Sequence, residues 1–231
     1  MHFVTLGFDD GFKKSNLKIA KLYEKHGLSA TFNVIATGHR PDYVAPDEYQ
    51  AAAPLGDFGL WNELQARGHE IMPHSYKHAD LQKTPHAEAQ DLIRRCLGVF
   101  AEELDGFDPF GSIYNFAYNT STPELEAWLP SVIAAFRTRG DALNPLPTRQ
   151  TVKLTTAGFG PGFCDAHLEG QIDALLKQPE GWLFYTAHGL DDEGWGPLST
   201  ACLERLLDRL AGMPDVKVTP GWPVLAAARG N

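Results

Sequence analysis

Short, nearly unbroken apolar runs alternate along the chain with longer segments whose apolar positions recur at helical spacing. A short apolar run suits a strand covered on both faces, and an i, i+3, i+4, i+7 pattern suits a helix with one buried stripe. On this basis the strands are His2–Phe8, Ala30–Ile35, Glu70–Pro73, Ser112–Tyr118, Ser131–Phe136, Thr151–Thr155, Trp182–Ala187 and Val216–Thr219. Between them lie amphipathic segments. The first is capped by Ser15 and runs to about Lys25, with Leu17, Ala20, Leu22 and Tyr23 inward and Gly27 beyond its end. Leu60–Arg67, Pro85–Leu104, Pro123–Leu129, Asp165–Leu176 and Ser199–Leu210 follow. The Pro-rich stretch Thr37–Pro54 has neither period and is predicted to be a surface excursion.

A β-α rhythm of this kind predicts an α/β fold with a parallel sheet or barrel. Catalytic groups in such folds collect at the carboxyl ends of the strands. The polar residues at those ends are therefore the candidates: Asp9 and Asp10, His74 and His78, Tyr118, Arg137 and His188.

Composition narrows the picture. With 231 residues, 43% of them hydrophobic, and no Ser/Gly linker, the chain is expected to form one domain over residues 1–231. A formal net charge of −9 argues against nucleic acid or an anionic membrane as the main partner. Cys96, Cys164 and Cys202 form no C-x-x-C pair and suit a reduced compartment. The opening MHFVTLGFDDG reads as a strand and not as a signal peptide, and no apolar run approaches the ~20 residues of a membrane span, so a cytoplasmic location is the expectation.

The candidate chemistry lies in four places. Asp9 and Asp10, before Gly11, offer two neighbouring carboxylates, one to hold a cation and one to stay free as a base; a solvated Asp-Asp-Gly turn is the plain alternative. His74-Ser75-Tyr76-Lys77-His78 puts two imidazoles at a spacing that suits a single metal, where two surface histidines are the alternative. Asn115-Phe116-Ala117-Tyr118 is a strand end carrying a tyrosine. His188, between a buried strand and Gly189, is placed to act as a general acid, against the alternative of a satisfied core histidine. Together Asp10, His74 and His78 make a two-histidine, one-carboxylate set with open positions. Zn2+ fits such ligands; Co2+, Ni2+, Mn2+ and Fe2+ are compatible.

At these residues the chain resembles the polysaccharide deacetylases, the family-four carbohydrate esterases with their NodB-type domain. That family reads T-F-D-D-G, H-[ST]-x-x-H, R-x-P-Y and a late L-x-H. Here the first appears as Gly7-Phe8-Asp9-Asp10-Gly11, departing at its first position, and the second is complete in His74–His78. The resemblance implies a distorted (β/α) barrel of about seven strands and the removal of N-acetyl groups from an amino sugar, oligosaccharide or polysaccharide by a metal-dependent hydrolase. It implies Asp9 as base, Asp10, His74 and His78 as metal ligands, His188 as acid, and the backbone N–H of Tyr118 as an oxyanion donor.

The third motif departs. Asn115 stands where the family has the arginine that orients the base, and Ala117 where it has proline. Arg137 or Arg139 is the candidate replacement cation. The Asp-rich fourth motif is not recognisable near Thr155–Gly160, which leaves Asp191 or Asp192 as candidate partners of the acid. Trp195, in the turn-rich segment after His188, is a candidate to stack on a sugar ring, and Phe159–Phe163 is a similar, weaker case. Two alternatives stay open: a carbohydrate-binding protein on the same fold that has lost turnover, and another metal-dependent barrel hydrolase or isomerase.

Overall fold

A computed structural model describes residues 1–230. Its strands are β1 (His2–Phe8), β2 (Thr31–Val34), β3 (Glu70–Pro73), β4 (Ile113–Asn115), β5 (Ala135–Arg139), β6 (Leu143–Asn144), β7 (Lys153–Thr156), β8 (Gly181–Ala187) and β9 (Val216–Val218). Its helices are α1 (Lys13–Glu24), α2 (Glu48–Ala51), α3 (Phe58–Ala66), α4 (His86–Glu103), α5 (Pro123–Trp128), α6 (Asp165–Leu176), α7 (Thr200–Ala211) and α8 (Gly221–Arg229).

The expected parallel α/β fold is present. One sheet runs β3-β2-β1-β8-β6 and a second runs β4-β5-β7; every pairing is parallel except β6 with β8. One edge of β1 is shared: β9 pairs with His2–Val4 and β2 with Gly7–Phe8, while β8 lies along the other edge. The two sheets curve toward each other. On one side Ala157, just after β7, bridges to Tyr185 of β8. On the other, β3 and β4 are joined through side chains: the Ile113 N–H donates to Met72 Sδ at 3.3 Å and Asn115 Nδ2 to the Pro73 carbonyl at 3.4 Å. The His74 N–H faces β2, so Pro73 faces β4 and has no N–H to offer it. The arrangement is two parallel sheets that meet at both seams without a continuous ladder, Pro73 lying at one of them.

The period of two along each strand sorts the side chains into two cores. Val4, Leu6, Phe8, Phe32, Leu183 and Tyr185 join the stripes of the helices, including Ile19, Ile93, Cys96, Phe100 and Leu203. The alternate set, Met72, Ile113, Ala135, Leu154, Trp182 and Phe184, packs with Val224 and Leu225 of α8, which plugs the amino ends of the strands. At ~25 cal/mol per Å2 of apolar surface removed from water, each such large side chain contributes about 2–3 kcal/mol before the loss of conformational entropy.

Several boundaries differ from the sequence expectation. Ser15 does not cap α1: the helix begins at Lys13 after Phe12, and the buried Ser15 hydroxyl donates to Glu193. The strand expected at Ser112–Tyr118 stops at Asn115, because residues 117–119 form a 3-10 turn with Tyr118 at φ 56°. The strand expected at Ser131–Phe136 is shifted to Ala135–Arg139, because Leu129–Ser131, with Pro130, forms another such turn. The excursion 37–54 contains α2 and buries Gln50. All three cysteines are free and buried. Among the described residues no helix is long and apolar enough to cross a membrane.

Candidate active site

The carboxyl ends of the strands carry the candidate residues as expected. The Asp9 N–H donates to the Ala187 carbonyl at 2.9 Å and the His74 N–H to Val34 at 3.0 Å, so the ladder extends past β1 and β3 and aims both side chains inward. On a regular strand Asp10 would point away from Asp9. Its φ of 74° turns the chain and returns its carboxylate to the same site. Ser75, His78, Tyr118 and Asn119 also have φ between 53° and 68°. Left-handed backbone at non-glycine residues costs ~1–2 kcal/mol each and gathers at functional sites.

Asp10, His74 and His78 converge. Asp10 Oδ1 lies 3.4 Å from His74 Nε2 and 3.2 Å from His78 Nε2, and all three side chains are buried. Tetrahedral ligand atoms at ~2.0–2.1 Å from one ion are roughly 3.3 Å apart. Among the described residues, this is the grouping of histidine, cysteine and carboxylate groups with ligand atoms within 4.8 Å of one another. His74 is also prepared as a ligand. His74 Nδ1 is 3.0 Å from the Asn115 carbonyl and so carries the proton, which leaves Nε2 with a lone pair, buried and without a hydrogen-bond partner. An orphaned buried nitrogen facing a carboxylate fits a divalent cation. Gln50 Nε2 donates to Asp10 Oδ1 at 3.1 Å, and Tyr43 donates its hydroxyl to Gln50 Oε1 at 2.6 Å, so the excursion reaches the ligand set.

Asp9 stands apart from this set, 3.8 Å from His74 Nε2 at its nearest oxygen. Arg137, fully buried, grips it with Nη1 to Oδ1 at 2.9 Å and Nη2 to Oδ2 at 2.6 Å, and Asn33 Nδ2 donates to Oδ1 at 2.7 Å. Burial alone would raise the Asp9 carboxyl; the Arg137 guanidinium, with His74, outweighs it and holds the group below its ordinary range. Asp10 is likewise driven up by burial but held well below its ordinary value, chiefly by the His78 imidazole. Of the two candidate cations, Arg137 reaches the carboxylate, whereas Arg139 is exposed and donates to the Tyr118 carbonyl at 3.3 Å. The Asn115 side chain does not take the arginine's place: its Nδ2 donates to the Ile113 and Pro73 carbonyls, and its contribution is the carbonyl that fixes His74.

His188 follows β8 and lines, with Asp9, Asp10, His74, His78, Tyr118 and Trp195, a cavity of about 520 Å3. Burial lowers the His188 imidazole below its ordinary value, while Asp10 and Asp9 pull it back up. Neither candidate partner reaches it. Asp191 accepts from Lys18 and from Thr200 at the start of α7, and Asp192 accepts from Lys14 at the surface. Trp195 instead stands edge-on to His188, with centroids 5.7 Å apart, and its indole lies on Gly160. The Tyr118 ring packs on His78 at 4.6 Å. Phe159 stacks on His167 at 5.2 Å and Phe163 is exposed; neither lines the cavity. Sequence reasoning missed Asn33 and Gln50. An asparagine amid the apolar run Thr31–Val34 was a usable signal; Gln50 carried none.

Residues 2–110 match the family profile described as polysaccharide deacetylase. No curated protein matches the sequence. Among solved structures, a Mycobacterium smegmatis protein assigned as a polysaccharide deacetylase shares 15% identity at a TM-score of 0.68, over 99% of this chain and 90% of the other. A family 4 carbohydrate esterase of Streptomyces lividans, solved with acetate, shares 16% at 0.60, over 94% and 91%. A family 4 acetyl xylan esterase of Clostridium thermocellum, solved with a cobalt ion, shares 16% at 0.61, over 99% and 92%. At these identities the structural likeness is one of fold. The chain thus resembles the polysaccharide deacetylases in the sequence of residues 2–110 and shares the fold of these solved structures over nearly its whole length.

Proposed function

We propose that this chain is a divalent-metal-dependent deacetylase that hydrolyses the acetamide of an N-acetylated amino sugar, free or within a saccharide. The observation that carries the reading is a division of labour between neighbouring carboxylates. Asp10 joins two imidazoles in a cation-binding set, while Asp9 is turned to a guanidinium and stays free to work as a base.

Asp10, His74 and His78 are the ligands, with Zn2+ the first choice and Co2+, Ni2+, Mn2+ or Fe2+ compatible with the same donors. A cation held there supplies Lewis acidity, acidifying water and polarising a carbonyl. Asp9, ionised beside Arg137, accepts the proton of the attacking water as the water oxygen bonds to the acetyl carbon. The Tyr118 N–H is the oxyanion donor. His188, on the facing wall, protonates the nitrogen as the C–N bond breaks, releasing acetate and the amine. Because burial depresses its pKa, the protonated ring is a stronger acid than free imidazole. Trp195 offers a flat apolar face to the sugar ring.

The arginine missing from the third motif was the reason to consider a binding protein without turnover. Arg137 meets that need from another strand, which favours an enzyme. The test is acetate release from N-acetylglucosamine, its oligomers and acetylated polymer, with the metal-stripped protein reloaded ion by ion. The reading expects turnover that a chelator abolishes and one of these ions restores. Stoichiometric metal without turnover on any N-acetyl substrate would overturn it.

A further inference from the structure

Gly7 lies within a buried strand, one residue from the carboxyl end of β1, a position where glycine often marks a close approach by another group. Its φ is ordinary, so turn geometry does not demand it. Its neighbours do. A Cβ at Gly7 would stand 2.7 Å from Asn33 Nδ2, 3.1 Å from Arg137 Nη1 and 3.2 Å from a ring carbon of Phe184. The first two atoms are the ones that donate to Asp9 Oδ1.

Side-chain ends can usually move aside, but these have little freedom. Arg137 is fully buried, its Nε has no hydrogen-bond partner, and both its terminal nitrogens are committed to Asp9. Beneath it, the guanidinium carbon is 5.9 Å from the Phe184 centroid, and Phe184 is itself packed in the inner core. Any shift that relieves a clash at residue 7 therefore comes out of the grip on Asp9.

We propose that Gly7 is a positioning residue: its missing side chain is the space through which Arg137 and Asn33 reach the carboxylate of Asp9. The inference rests on the reading of Asp9 as the base. It also joins two departures from the family motifs. Asn115 stands where the arginine is expected, and Gly7 is the one mismatch in the first motif. In this chain the orienting cation comes from β5, and residue 7, lacking a side chain, leaves it room.

The test is a double-mutant cycle between Gly7→Ala and Arg137→Ala, read in kcat, KM and metal affinity. Gly7→Ala is expected to lower kcat on the order of 10²-fold, with KM within about threefold and metal affinity unchanged. In the Arg137→Ala background, where the guanidinium is gone, the same change is expected to cost less than about threefold. Full additivity, or wild-type kcat in Gly7→Ala, would overturn the proposal. If Gly7→Ala does not fold, the double variant carries the test: it should fold and match Arg137→Ala, and its failure to fold would count against the proposal. A crystal structure of Gly7→Ala separates this inference from the functional reading. Loss of the paired Asp9–Arg137 contacts upholds the inference even if no N-acetyl substrate is turned over, and intact contacts refute it.

Discussion

Two buried carboxylates, one at each end of the parallel strands, accept the same number of hydrogen bonds and have opposite fates. At the carboxyl ends of the strands, Asp9 accepts one bond from Asn33 and two from Arg137. At the amino ends, Glu70 accepts one from Thr31 Oγ1 at 2.9 Å and two from the backbone at the start of α8, Gly221 at 3.0 Å and Trp222 at 2.7 Å. Burial raises both. For Glu70 the neutral donors do not offset it, and the carboxyl is pushed up to about 7. For Asp9 a full positive charge does offset it. Satisfying the oxygens is thus not enough to keep a buried carboxylate ionised; the sign of the neighbouring charge decides. A group that only caps a helix can tolerate protonation, whereas a base cannot.

The largest expected effect comes from making the upper site resemble the lower one. Arg137→Ala should raise the Asp9 pKa and cut kcat/KM on the order of 10³-fold, with Arg137→Lys recovering part of the loss. Steady-state kinetics against pH would show it, as an acidic limb moved to higher pH.

The next concerns Glu70 and stability. Its ordinary value is 4.5 and its folded value about 7, so between them the native state binds the extra proton. The resulting stability is fully present below about 4.5 and is lost as pH rises through about 7, a change on the order of 3 kcal/mol for this side chain. Denaturant melts from pH 5 to 8 should show this decline, and Glu70→Gln should flatten it. An unchanged slope in the variant would mean that Glu70 is not its source.

A smaller effect is expected at Gln50, which touches a ligand without being one. Gln50→Ala should weaken metal binding by roughly 10-fold, as loss of an outer hydrogen bond does, measured by calorimetric titration. Smallest is Trp195→Ala, which should raise KM a few-fold and leave kcat nearly unchanged if the indole only carries the sugar ring.

What the sequence disclosed followed the range of each interaction. Asp9-Asp10-Gly11 and His74–His78 are local, and their chemistry is legible because a few consecutive residues set it. The parallel α/β fold was legible from the β-α rhythm. Arg137 was visible as a candidate, but its grip on Asp9 spans 128 residues, and the strand expected to precede it in fact contains it. Ser15 looked like a helix cap because nothing local shows that Glu193, 178 residues away, claims its hydroxyl. Gln50 lies in an excursion with no period, and only the antiparallel return of Leu55 onto Phe12 brings that segment over Asp10. Asp191 and Asp192 were plausible partners for His188 by proximity in sequence; hydrogen bonds to Thr200, Lys18 and Lys14 turn them away.

The most direct measurement is an anomalous-difference map from crystals soaked in Co2+ or Zn2+. The expected result is one strong peak bonded to Asp10, His74 and His78, with Asp9 still paired to Arg137 and off the ion. A peak ligated by Asp9 in place of Asp10, or no peak among these residues at saturating metal, would contradict the division of roles between the two carboxylates.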